Sequence, residues 1–377
     1  MLSLEKKGSK PKVVPGLAVI GGGIWASHHM NAVRDLEREG RARLLAMCAR
    51  TPETVARITS EYGIEGTTDY RELLDRPDIH AVSIVTPDHL HREMAVAAMR
   101  AGKHVIVEKP MDLSVEGCDE MICVARDQGV LLFVDFHKRY DPVHQRARDL
   151  IRSGKLGQVQ YGYTYMEDKI VVPRDWFPKW ASHTTPFWFL GVHQVDLLRW
   201  TLGAEVVRVS GRGFKGRLQQ LNIETYDSVH ADLEFTNGAA FSVDVSWILP
   251  EGFEATVNQG FRVLGTEGII ELDTQDRGAT GCFAAATMES YNVNAAHKTQ
   301  NAFGETIHSG YFVEPVKEFV RIVTHILMGG DLAPLAGSYP SGNDGREATR
   351  VALAVHQSME TCAPVTVPIQ NEACHRD

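Results

Sequence analysis

Lys103-His104-Val105-Ile106-Val107-Glu108-Lys109-Pro110 carries three consecutive β-branched apolar residues into a charged pair, and a proline stops the run. A strand that is apolar at every position needs cover on both faces, which is the habit of parallel sheets lying between helix layers. Such sheets bind ligands at the carboxyl ends of their strands. Glu108 and Lys109 stand at that end, and Pro110 cannot donate to a ladder, so the chain turns there. Taken alone the pair reads as a solvated strand terminus. The flanking sequence gives it another meaning.

Upstream, residues 81–85 form a second buried strand, and Thr86, Pro87, Asp88, His89, Leu90 and His91 follow it, so another strand end carries polar groups. Residues 70–74 and 93–101 have helical composition, and Gly102 caps the latter. Further upstream, the strand 17–20 leads into Gly21, Gly22, Gly23, Ile24, Trp25 and Ala26, a G-x-G-x-x-A pattern between a strand and a helix. Gly21 permits the tight turn, Gly23 lets a pyrophosphate approach the backbone, and Ala26 lets the helix pack closely. The helix amino end beside Ile24 and Trp25 supplies unpaired N–H groups and a positive dipole end. Downstream, 113–128 reads as a helix and 130–134 as a strand. This alternation predicts βαβ units and a Rossmann dinucleotide-binding domain over residues 16–138. Its crevice is lined by 21–26, 86–91 and 108–110.

The second strand, 43–49, should end with the residue that reads the adenosine ribose. NAD enzymes usually place an acid there for the 2′-hydroxyl. This chain has Cys48, Ala49, Arg50 and Thr51. A small neutral residue followed by arginine removes the repulsion against a 2′-phosphate and offers a guanidinium to bind it, with the Thr51 hydroxyl alongside. The expected cofactor is NAD(P), leaning to NADP.

A chain of 377 residues exceeds the size at which one core keeps growing, so two domains are the default. Its net charge of −9 gives no general attraction to nucleic acid or anionic membrane. Residues 1–15 form a polar leader holding Lys6, Lys7, Lys10 and Lys12, without the apolar run of a signal peptide. No stretch approaches the roughly eighteen apolar residues of a membrane span. A cytoplasmic protein is expected. The six cysteines lack the paired spacing of a zinc or redox motif, so reduced thiols and no metal are expected.

The second half changes texture. Tyr161, Tyr163 and Tyr165 alternate with Gly162 and Thr164, and Phe241, Val243, Val245 and Trp247 alternate with Ser242, Asp244 and Ser246, as in half-exposed antiparallel strands. Asn237-Gly238 between the runs 229–235 and 239–247 signals a hairpin, and 261–264 with 269–272 makes another. Helical patterns return at 313–328 and 345–361. Residues 139–377 therefore predict a carboxyl-terminal α/β domain with an open, mainly antiparallel sheet, for substrate binding and oligomerisation. The open face favours a homo-oligomer, a dimer or tetramer.

With these motifs assembled, the chain resembles the glucose-fructose oxidoreductase and inositol dehydrogenase (Gfo/Idh/MocA) family over nearly its whole length. The glycine motif, Thr86-Pro87 with His91, the A-G-K-H-V-x-x-E-K-P run ending at Pro110, and Arg139-Tyr140-Asp141-Pro142 fit its pattern. So do the S-G-x-x-G run at 153–157 and G-x-H-x-x-D at Gly191, His193 and Asp196. The E-K-P element in that context is the specific one. The resemblance implies an NAD(P)-dependent dehydrogenase of a sugar, cyclitol or glycoside, with Glu108 and Lys109 at the cofactor. It implies that His193 faces the nicotinamide as acid/base with Lys109 beside it, near Arg139, Asp196, Trp176 and His183. A redox-neutral glycoside cleavage with retained dinucleotide, or a cofactor-sensing regulator, are the alternatives.

Imidazole suits the task of taking a hydroxyl proton near neutral pH while a hydride leaves carbon. Lys109 would stabilise alkoxide character on the same oxygen. Many relatives carry an aspartate four residues before this histidine. Here that position is Phe189, which points to a substrate with an apolar part near the site.

Overall fold

The computed structural model describes residues 13–275, 280–281, 289–290, 292 and 294–369. Most of the expected leader, residues 1–12, lies outside them, as do Cys282 and Cys374. The first sheet is built from β1 (Gly16–Ile20), β2 (Arg43–Cys48), β3 (Glu65–Thr67), β4 (Ala81–Ile84), β5 (His104–Val107) and β6 (Leu132–Val134). Helices α1 (Ala26–Arg38), α2 (Pro52–Tyr62), α3 (Arg71–Leu74), α4 (His91–Arg100) and α5 (Val115–Gln128) connect them. All strand pairs are parallel, in the order β3-β2-β1-β4-β5-β6. Every residue of β1, β4 and β5 is buried, as the continuous apolar runs require. The direction of winding reverses between β1 and β4. Outside their carboxyl ends lies the crevice.

The second unit begins with α6 (Pro142–Arg152), β7 (Val159–Lys169) and α7 (Val192–Leu202). Strands β8 (Val206–Phe214), β9 (Ser228–Phe235), β10 (Ala240–Leu249), β11 (Val257–Gly265) and β12 (Ile269–Asp273) follow. Two short ribbons come next, β13 (Thr280–Gly281) with β14 (Glu289–Ser290) and β15 (His297–Gln300) with β16 (Thr306–Ser309). Then come α8 (Glu314–Leu327), α9 (Gly342–Thr361) and β17 (Val365–Thr366). The large sheet runs β12-β11-β7-β10-β9-β8-β17. Both expected hairpins form, β9 with β10 and β11 with β12, and Gly238 takes the left-handed conformation (φ +83°) that the first turn needs. The two alternating runs that read as antiparallel strands are instead parallel partners, because β7 inserts between β10 and β11.

Helix α8 crosses the expected boundary at residues 138/139. Its apolar face, with Val316, Phe319, Val320 and Val323, packs into the same core as Leu17, Val33 and Ile106 of the first sheet and its helix, and Phe319 meets Phe133 edge-on at 5.9 Å. The period-3.6 pattern of α8 revealed an amphipathic helix but not which sheet it covers. Cys48, Cys118 and Cys362 are free thiols, whereas Cys123 is disulfide-bonded, against the expectation of a fully reduced set. No helix among the described residues is long and apolar enough to cross a membrane.

Candidate active site

Four strand ends deliver polar groups to one place. After β1, the chain turns at Gly21, whose φ of +129° and distance to Val85 O (2.0 Å from a built Cβ) exclude any side chain. A Cβ on Gly23 would meet nothing within 4 Å, so the backbone faces open space at the start of α1. Among the described residues no protein acceptor meets the N–H groups of Gly23, Ile24 or Trp25. This cradle fits a pyrophosphate on a helix amino end. Trp25 packs against Phe312 at 4.6 Å and His137 at 5.4 Å, and its indole N–H is buried without a partner. Thr86 Oγ1 at the end of β4 is orphaned in the same way. Buried polar atoms left unpaired in the protein are what a bound polar ligand satisfies.

At the end of β5, Glu108 is pinned by His29 of α1. His29 Nε2 lies 3.2 Å from Glu108 Oε1 and 3.2 Å from Asp135 Oδ2, while Nδ1 lies 2.7 Å from Ser83 Oγ. Burial works against charge here, but the hydrogen bonds and charges of Asp135 and Glu108 outweigh it and raise His29 to about 9. Burial likewise opposes ionised Glu108, yet the His29 contact and the Lys109 charge hold its carboxyl below the usual range. Asp135 is pushed up to about 7 by burial and by the charge of Glu108. These three side chains are the one grouping of metal-type ligands among the described residues. An imidazolium between two carboxylates already fills that space with positive charge. Glu108 Oε2 accepts the Lys109 N–H at 3.3 Å, so the cluster fixes the backbone from which Lys109 projects.

Lys109 reaches across to the second unit. Its Nζ donates to Phe189 O at 3.0 Å and lies 4.3 Å from the Phe189 ring centre. Phe189 sits one helical turn before His193, in a wide π-type turn, Phe187–Gly191, that leads into α7. His193 is wholly enclosed, and its Nδ1 has no partner. Burial first, then Lys109, His137 and Lys138, hold its imidazole well below the usual range. These surroundings favour the neutral imidazole over the imidazolium. His137, from the turn after β6, lies 4.4 Å from His193 between ring centres and stacks on Tyr311 at 5.6 Å.

Some of the other expected site residues are engaged within the protein and others are exposed. His91 is buried, with Nδ1 2.8 Å from Pro110 O and Nε2 2.8 Å from Thr86 O, and so ties two strand ends together. Thr51 caps α2, accepting from Thr54 N at 3.3 Å, and Pro87, after the end of β4, is exposed. Ala49 is buried at the end of β2, and Arg50 beyond it is exposed and has no ion pair among the described residues. Arg139 and Asp196 satisfy each other, with Nε and Nη2 donating at 2.8 and 2.5 Å, and Asp344 lies 2.8 Å from Arg139. Both are buried and held in this pairing. Trp176 and His183 are exposed, and no hydrogen bond among the described residues holds the His183 ring. Phe189 is joined by Phe177, Trp180 and Trp247, all with ring centres within 5.8 Å, in an aromatic wall beside Lys109.

The sequence reading missed His137, Lys138 and Asp168. Lys138 Nζ donates to Gln259 Oε1 at 2.5 Å and to Tyr311 OH at 2.9 Å. A usable signal existed: residues 135–140 follow a buried strand as 86–91 and 108–110 do, and extending the outward tyrosine alternation of β7 puts Asp168 on the inward face.

Comparison with known proteins agrees with this geometry. Residues 16–136 match the model of the GFO_IDH_MocA oxidoreductase family with an NAD-binding Rossmann fold, and residues 144–271 match the GFO/IDH/MocA C-terminal domain. The scyllo-inositol 2-dehydrogenase (NAD(+)) of Bacillus subtilis is 34% identical over 222 residues, 58% of this chain and 62% of that protein, so the match spans less than two thirds of it. The inositol 2-dehydrogenase of Rhizobium meliloti is 27% identical over 343 residues, 90% of this chain and 96% of that protein. A crystal structure of myo-inositol 2-dehydrogenase from Lactobacillus plantarum shares the fold, with a TM-score of 0.76 over 94% of this chain and 100% of that one at 22% identity. With both halves matched in order and the E-K-P strand end at the centre of the site, this chain belongs to the GFO/IDH/MocA oxidoreductase family.

Proposed function

We propose that this chain is a nicotinamide-dependent dehydrogenase of a secondary hydroxyl on a cyclitol or sugar. One observation carries the reading: Lys109, from the end of β5, is bonded to the carbonyl one turn before His193, so an ammonium and a neutral imidazole from two different units share one enclosed site. His193 takes the hydroxyl proton, and Lys109 stabilises the negative charge that develops on the same oxygen. The bound nicotinamide supplies the hydride acceptor. The cradle 21–25, with Thr86 and Glu108, holds the dinucleotide, and the aromatic wall around Phe189 takes the C–H face of the substrate ring.

NADP is the favoured form. Arg50 is uncommitted at the end of β2, no acid replaces it there, and the amino end of α2 lies next to it. Residues 16–138 then serve the cofactor, 139–377 the substrate and self-association through the open sheet face. The test is a screen of cyclitols, sugars and glycosides with NAD and NADP separately, following the absorbance of the reduced nicotinamide. Oxidation of a cyclitol or sugar is expected, together with a larger loss of NADP than of NAD affinity in Arg50→Ala. No turnover on any member would sink the dehydrogenase reading. Equal losses would sink the NADP assignment alone.

A further inference from the structure

His137 is a buried histidine whose ring makes no hydrogen bond among the described residues, and it stands directly against His193. A buried polar group without a partner is costly. Three other buried histidines avoid that cost: His29 meets Ser83 and Glu108, His91 joins two carbonyls, and His104 Nδ1 accepts from Leu131 N–H at 3.0 Å. His144 Nδ1 also lacks a partner, but its ring lies edge-on against Phe261 at 5.7 Å in the second unit. Only His137 and His193 put unpaired imidazoles side by side.

The surroundings of His137 fix its ring. Tyr311 stacks on it at 5.6 Å, Phe312 meets it edge-on at 5.3 Å, and Trp25 of the glycine turn lies at 5.4 Å. Lys138, the next residue, donates to Tyr311 OH at 2.9 Å and so fastens the stacking partner from the same turn. The fourth ring is that of His193, with centres 4.4 Å apart and planes at 60°. A polar group held in one orientation in advance is what selective binding needs. On both histidines Nδ1 is the nitrogen that is sealed and unpaired, so the slight exposure that remains, 3% and 2%, leaves Nε2 as the one a ligand can reach. Burial first, then Lys138, Lys109, His28 and His29, favour the neutral form of His137, which can accept or donate a hydrogen bond there.

We propose that His137 is a specificity-determining residue, a second imidazole that holds the hydroxyl adjacent to the one on His193, so that the site selects vicinal diols. A vicinal diol carries its two oxygens on neighbouring carbons, and two rings 4.4 Å apart offer two nitrogens on that scale. A lone alcohol would leave His137 unpaired, and a site built to bond a hydroxyl rejects a ligand that lacks it. Which hydroxyl is oxidised rests on the dehydrogenase reading. The preference for a diol is a property of binding.

The experiment compares cis- and trans-1,2-cyclohexanediol with cyclohexanol. Dissociation constants are measured by ligand-observed NMR titration of the full-length protein, saturated with NADP and separately with NAD, and oxidation is followed in parallel. Wild type should bind the better diol about tenfold more tightly than the lone alcohol, the worth of one well-made hydrogen bond. His137→Leu should abolish that preference by weakening the diol while leaving cyclohexanol within about twofold. His137→Asn, which keeps a hydrogen-bonding group, should restore part of it, and either variant decides alone if the other does not fold. A histidine that merely packs would weaken all three ligands alike. No preference in wild type, no diol binding, or the same preference in a folded variant overturns the proposal. A preference that depends on His137 without any oxidation keeps the diol site and sinks the dehydrogenase reading, whereas oxidation with an unaltered preference does the reverse.

Discussion

At the scale of single residues, the site separates side chains that act from side chains that brace. Lys109 has its Nζ between the two units, where among the described residues it meets a carbonyl and a ring. Lys109→Ala should therefore leave dinucleotide binding intact, read by quenching of tryptophan fluorescence. It should lower kcat/KM by about 10²–10³, the usual cost of one lost electrostatic donor. Unchanged turnover would remove Lys109 from the mechanism. For His193 the sign follows from its surroundings: burial and three neighbouring groups disfavour the imidazolium, so the neutral base persists to pH values below its ordinary 6.5. The acidic limb of kcat/KM should lie below that value, and Phe189→Asp should move it upward, because a carboxylate there favours the imidazolium. A limb that persists in His193→Asn would assign the base elsewhere. That Lys109 and the helix carrying His193 come together was legible from local motifs through the family resemblance. The bracing of Arg139 by Asp196 was not, since a pair 57 positions apart leaves no local pattern.

At the scale of elements, two buried ionic clusters join strand ends and helices, and each has its own signature. Arg139 links the turn after β6 to Asp196 of α7 and to Asp344 at the start of α9. Removing one partner of a buried pair strands the other, so Asp196→Ala should cost about 3–5 kcal/mol in a urea melt. A substrate-binding Asp196 would instead raise KM at unchanged stability. The His29, Glu108 and Asp135 cluster joins α1 to the ends of β5 and β6. His29 and Asp135 both have folded values above their unfolded ones, so the folded protein holds an extra proton on Asp135 between about pH 3.8 and 7 and one on His29 between about pH 6.5 and 9. Their stabilisation is present below the unfolded values and is lost as pH rises through the folded ones, about 7 for Asp135 and about 9 for His29. Glu108 behaves oppositely, losing its contribution as pH falls below its ordinary 4.5. Melting temperature should fall from pH 7 to 9.5, and His29→Gln should flatten that fall. An equal slope in both proteins would place the titrating groups elsewhere. The strands of this region were readable because parallel strands are apolar throughout; His29 was not, because it lies inside a helix whose pattern explains it without a partner.

For the molecule as a whole, continuous apolar runs announced the first sheet and alternating period the second, yet the parallel pairing of β7 with β10 and the return of α8 to the first sheet were hidden. Periodicity says which face is buried, not what buries it. The same limit applies to the outer face of the large sheet. One face lies against α6, α7 and α9; the other displays Tyr161 (47% exposed), Tyr163 (37%), Phe214 (50%) and, at the edge, Ile269 (50%). Large aromatic side chains on a broad sheet face are costly to leave in water and suit a symmetric partner of the same kind. They are interleaved with Asp244, His230, Ser228 and Arg262, and Arg262 lies over the Tyr163 ring at 5.8 Å. Such a mixture fits an interface that forms after folding rather than a core that folds with it. Sedimentation equilibrium at micromolar protein should therefore give a dimer or a larger even-numbered assembly. Tyr163→Asp combined with Phe214→Asp should reduce it to the mass of one chain, because two unpaired carboxylates would be buried across the two-fold contact. The buried core of each chain is formed within that chain, so the separated chains should retain far-UV dichroism and dinucleotide binding. A wild-type protein that sediments as one chain would leave the tyrosine face without a partner and refute the assembly.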